Sequence, residues 1–91
     1  MSFKVLVHPD AFKAIARLPE SHQKKLTELV EVLKGNPVPY KRFDIRKLKG
    51  DKRDKNLFRA RIGDFRLVYE VDKKDRLILI LKLDQRGRVY R

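Results

Sequence analysis

The sequence predicts a small single α+β domain in the order β-α-α-β-β-β, with a two-helix hairpin packed on one face of a mostly antiparallel sheet. Three observations carry that expectation. Leu26, Leu29, Val30 and Leu33 recur at helical spacing, Phe58 to Val71 alternate with period two, and a Gly63-Asp64 pair sits between two alternating runs. The 91 residues suit one compact domain with a single core, residues 1–91 forming one unit without an interdomain linker.

The elements follow in order. FKVLV, residues 3–7, reads as a first strand. His8-Pro9-Asp10 breaks it and starts a helix, because proline is tolerated in a first turn and a carboxylate suits the N-terminal dipole. Phe12, Ile15 and Ala16 give that helix an apolar stripe before Pro19 ends it. A second helix begins near Glu20-Ser21 and carries the Leu26–Leu33 stripe until Gly35, Pro37 and Pro39 stop it. Residues 40–56 are polar, basic and weakly periodic, with Phe43, Ile45 and Leu48 as anchors of a short extended piece. Phe58, Ala60 and Ile62, then Phe65, Leu67, Tyr69 and Val71, share one face of two paired strands. Leu77 to Leu81, LILIL, is apolar on both faces and reads as a central, covered strand.

Charge is the dominant global feature, with 24 Lys+Arg against 12 Asp+Glu for a net +12. It is lopsided: residues 1–45 hold 8 basic and 5 acidic side chains (+3), residues 46–91 hold 16 and 7 (+9). Such an excess favours a polyanion or an acidic protein partner. The hydrophobic fraction of 42% argues against a disordered tail. No apolar run approaches the ~18 residues of a membrane span, the opening residues lack a signal-peptide core, and the zero cysteines remove disulfide and thiolate-metal chemistry. A cytoplasmic protein without a cofactor is the expectation. His8 and His22 lack metal-ligand spacing and read as surface or capping residues, and no P-loop, nucleophile elbow or paired acidic motif is present.

The stretch FRARIGDFR concentrates the charge. A two-residue turn at Gly63-Asp64 places Arg61 opposite Arg66 and Arg59 opposite Val68, on the face the helices leave uncovered, with Glu70 diagonal to Arg59. Like charges directly opposite weaken a sheet by a few tenths of a kcal/mol up to about 1 kcal/mol. Three guanidiniums on a rigid surface form a phosphate clamp, since each offers planar bidentate donors and keeps its charge. The plain alternative is a solvated face on which long arginines spread apart and Glu70 neutralises one of them. The tail LDQRGRVYR adds Arg86, Arg88 and Tyr90, which alternate along an extended segment; either they fold beside the same face or the tail frays.

Strand, helix, helix, KLKG at 47–50, FRARIGDFRLVYEV at 58–71, and an apolar strand ending in a basic tail with a near-terminal tyrosine together resemble the RelE/ParE superfamily of toxin–antitoxin toxins. The resemblance covers nearly the whole chain, and the arginine-rich hairpin is fairly specific to the superfamily. It implies a fold like that of microbial ribonucleases and one of two activities: RelE-like toxins cleave mRNA in the ribosomal A site, whereas ParE-like toxins poison DNA gyrase. Arg86 and Tyr90 match the functional arginine and tyrosine of RelE-like tails, which favours an archaeal-type RelE mRNA interferase. Arg59 and Arg61 match strand cations that are lysines in bacterial RelE toxins, and Arg66 matches an arginine after the turn. The implied catalytic set is Arg61, Arg66 and Arg86 for charge stabilisation and Tyr90 for proton transfer, with Arg59, Lys47, Lys49 and Arg88 holding RNA. Arginine is a poor proton acceptor near neutral pH, so little cleavage of free RNA is expected, with the ribosome supplying alignment. The implied partners are the ribosome, mRNA and a cognate RelB-like antitoxin with an acidic or amphipathic segment. A gyrase inhibitor, a non-catalytic RNA- or ribosome-binding module, and a degenerate toxin that only binds antitoxin fit the same residues.

Overall fold

A computed structural model describes residues 2–39, 43–52 and 55–85, with backbone alone at 49–52, 55 and 85. Strand β1 (Lys4–Val7) leads into helices α1 (Pro9–Ala16) and α2 (Glu20–Gly35), followed by β2 (Arg46–Lys52), β3 (Lys55–Ile62), β4 (Phe65–Asp72) and β5 (Leu77–Gln85). The strands form one sheet in the order β1-β5-β4-β3-β2. β1 runs parallel to β5 and every other neighbour is antiparallel. The expected architecture is therefore present, with one strand more: β2 arises from the weakly periodic basic segment.

Local chemistry explains the helix boundaries. Pro9 opens α1, and the His8 side chain caps it, its Nδ1 accepting from the Asp10 N–H at 3.1 Å. The Gln23 amide donates to the carbonyls of Ile15 and Leu18 at 3.3 and 3.2 Å, satisfying acceptors exposed where α1 ends. α2 closes with the Asn36 N–H on the Val32 carbonyl at 2.9 Å, and Asn36 Oδ1 then accepts from the Val38 N–H to turn the chain.

The helices cover one face of the sheet. Leu26, Leu29 and Leu33 of α2 meet Phe58, Ala60, Ile62, Leu67, Tyr69, Val71, Ile78 and Ile80 in a single core, each large aliphatic chain contributing roughly 1.5–3 kcal/mol by leaving water. Two expectations shift here. The apolar phase of α1 is one residue earlier than its sequence suggests: Ala11 is fully buried and Phe12 is 64% exposed, because the small side chain lets α1 lie close on β5. β5 is internal, yet only its Ile78/Ile80 face is fully covered, while Leu77, Leu79 and Leu81 are half-buried.

The connection from α2 to β2 is tied down at both ends. Tyr69, wholly buried and stacked on Phe58, donates from its phenol to the Pro37 carbonyl at 2.9 Å. Ile45 is buried and Phe43 packs against the core, as anchors should, but Leu48 is 50% exposed on the edge strand. Phe43 and Asp44 both adopt left-handed backbone, at φ 61° and 46°, a conformation that costs a residue bearing a Cβ about 1–2 kcal/mol.

Candidate nucleic-acid interface

The hairpin sets the site. Gly63, at φ +59°, occupies the first central position of the two-residue loop, where a type II′ turn requires glycine. A Cβ there would run into the imidazole of His22. That ring is half-buried and meets Phe65 edge-on at 5.4 Å, so His22 is a packing residue against the turn rather than a surface group. With the turn fixed, the register is fixed: Ile62 faces Phe65, Arg61 faces Arg66 and Arg59 faces Val68.

On the face away from the helices the sheet juxtaposes Arg46 with Arg59, and Arg61 with Arg66. Lys82 continues the first row beside Val68, and Asp84 the second beside Arg66. Arg59 is not a solvated side chain: 10% of it is exposed, against 34% for Arg61. Its counter-charge is Asp44, a residue the sequence pattern does not single out. One carboxylate oxygen, Asp44 Oδ2, lies 3.9 Å from Arg59 Nη2 and 3.6 Å from Arg61 Nη1. These are ion-pair distances, longer than the 2.7–2.9 Å of a charge-assisted hydrogen bond. Arg59 Nε and Nη2 and Arg61 Nε are buried without a hydrogen-bond partner among the described residues. A buried cation with unmet donors carries a desolvation cost of several kcal/mol that a bound anion would offset. No ion pair joins Glu70 to Arg59 among the described residues; Glu70 lies between Leu57 and Leu79 across the strands.

The other expected residues divide. Lys47 pairs with Phe58, whose side chain belongs to the core face, so the register separates Lys47 from the arginines. The Lys49 backbone pairs with Leu57 next to a bulge, and its side chain lies outside the described residues. Arg86, Arg88 and Tyr90 also lie outside them. Among the described residues no cluster of three potential metal ligands occurs, and no helix is long and apolar enough to cross a membrane.

A single, mostly antiparallel sheet backed on one face by two helices is the fold of the RelE toxins of toxin–antitoxin systems. The sequence model of a family described as the ParE toxin of type II toxin–antitoxin systems, parDE, matches residues 5–90. The chain belongs to that family, within the RelE/ParE superfamily. It is 43% identical over 91 residues, covering 100% of this chain and 98% of the other, to a toxin candidate, RelE1, of Methanocaldococcus jannaschii. The archaeal RelE–RelB complex of Pyrococcus horikoshii contains a similar chain, at 43% identity and TM-score 0.89 over 98% of this chain and 100% of that one. Isolated RelE of E. coli shares the fold at 22% identity and TM-score 0.68, over 98% and 89% of the two chains.

Proposed function

We propose that this chain, acting as one domain, is a ribosome-dependent endoribonuclease that cleaves mRNA in the A site and arrests translation. The observation that carries the reading is the arginine cluster on the sheet face away from the helices, where buried donors of Arg59 and Arg61 have no hydrogen-bond partner among the described residues. RNA cleavage through the 2′-hydroxyl needs the sugar aligned in line with the phosphate, the added negative charge stabilised and two protons moved, and it needs no metal. Arg61 and Arg66, fixed opposite each other on paired strands, hold the non-bridging oxygens; a preorganised donor of this kind is worth about 3–4 kcal/mol in transition-state charge stabilisation. Arg59 positions the flanking phosphate from its buried seat. Arg86 and Tyr90 complete the set, the phenol carrying a proton, and Lys49 and Arg88 steady the RNA backbone. Lys47 is left to the rim.

The cell must silence such a face, and the reading includes a cognate RelB-like antitoxin in the cytoplasm, as in the Pyrococcus RelE–RelB complex. An acidic or amphipathic segment laid on the toxin would neutralise the cations. The ParE family match favours a second reading, poisoning of DNA gyrase. Primer extension on a defined mRNA with purified ribosomes, run beside a gyrase supercoiling assay, separates them. Ribosome-dependent cuts at A-site codons support the first; inhibited supercoiling without RNA ends supports the second.

A further inference from the structure

Among the described residues, Asp44 is the acidic group that forms ion pairs with Arg59 and Arg61, and its placement is costly. Two consecutive residues that carry a Cβ, Phe43 and Asp44, take left-handed backbone to put it there, and strain of this kind persists where surrounding contacts enforce it. The enforcing contacts are visible. The Phe43 carbonyl accepts from the Arg61 N–H at 2.9 Å, adding a backbone bond outside the strand ladder, and the Phe43 ring packs on the core. The result is a single carboxylate oxygen shared by two guanidiniums, as an oxygen of a bound phosphate would be. The contact is loose, at 3.6 and 3.9 Å, and 46% of the Asp44 side chain is exposed, so the carboxylate screens the cations without saturating their donors.

We infer that Asp44 is an internal counter-anion of the phosphate site: it occupies the approach to Arg59 and Arg61 until a substrate phosphate displaces it, and so selects against loosely held RNA. The inference rests on the reading of this face as a phosphate site, and deepens it. A net +12 protein with bare arginines would bind any polyanion through counterion release. A resident carboxylate raises the threshold, so that RNA presented in a fixed geometry competes well and free RNA competes poorly. Asp44 acts through the two arginines and is a specificity-determining residue, not a catalytic one.

The test uses full-length Asp44→Asn, which keeps the shape and one acceptor oxygen and removes the charge, with Asp44→Ala as a second variant. The probe is a fluorescent single-stranded oligoribonucleotide that resists cleavage through 2′-O-methyl groups, followed by anisotropy at several salt concentrations. Expected is binding tighter by about fivefold or more in both variants, the factor matching ~1 kcal/mol for one unit charge at about 4 Å even in a water-like dielectric. The gain must vanish in an Arg59→Gln/Arg61→Gln background. Unchanged or weaker binding by folded Asp44→Asn overturns the proposal, as does an equal gain in the arginine-free background, which would mark a general charge effect. The readout does not require cleavage: a binding gain in a protein that cuts no mRNA would retire the nuclease reading and leave this one standing.

Discussion

Replacing Gly63 by alanine tests the joint between fold and site. The residue sits at φ +59° with the His22 imidazole where a Cβ would go. Two costs follow: about 1–2 kcal/mol for left-handed backbone with a Cβ, and about 1–3 kcal/mol for forcing the half-buried ring and its Phe65 contact to move. Gly63→Ala should therefore lose about 2–5 kcal/mol, a large share of the stability of a small domain, and about 10 °C or more in Tm. Urea denaturation of wild type, Gly63→Ala, His22→Ala and the double variant separates the terms. With the ring removed, only the backbone cost remains, so the cycle should show coupling of about 1 kcal/mol or more. Gly63→Ala within 0.5 kcal/mol of wild type, or equally costly in both backgrounds, would refute the packing of His22 on the turn.

Three further outcomes are expected. Tyr69→Phe removes the donor to the Pro37 carbonyl and should cost about 1–1.5 kcal/mol in denaturant, with a larger loss pointing to a wider role for the strap between α2 and β2. Arg59→Met should be neutral or stabilising by up to a few kcal/mol, since it replaces a buried, poorly satisfied cation by an apolar chain, while lowering activity; strong destabilisation in thermal melts would contradict the burial argument. Arg66→Ala should weaken RNA binding and reduce the slope of log affinity against log salt by about 0.7, one phosphate contact on a single strand, and an unchanged slope would place Arg66 away from the RNA.

The parts of the fold legible in the sequence are those where one physical signal acts alone. The Gly63-Asp64 turn and period-two alternation fix a hairpin register without reference to anything distant, so the opposition of Arg61 and Arg66 follows from the chain itself. The leucine stripe of α2 is equally local. β2 is different: RKLKGDK pairs through its backbone at a sheet edge, with two register irregularities, and an edge strand needs no apolar alternation. That hidden strand is why Arg46 escapes notice and why Lys47 falls on the other face. Asp44 is reached only through left-handed backbone at Phe43, a conformation the sequence does not signal for an aromatic residue. The burial of Arg59 is a tertiary result, the reverse of what its charge suggests. Phe12 points to solvent because Ala11, apolar but small, makes the close contact.

The role proposed for the opposed arginines is to stabilise charge during mRNA cleavage on the ribosome. The most direct measurement is the single-turnover cleavage rate of a defined A-site codon in programmed ribosomes by wild type and by Arg66→Ala, at protein concentrations that saturate the ribosome. Ribosome-dependent cuts by wild type are expected, with a fall of about 100-fold or more for the variant, the factor for losing about 3 kcal/mol of transition-state stabilisation, and ribosome binding retained. Equal rates would contradict it.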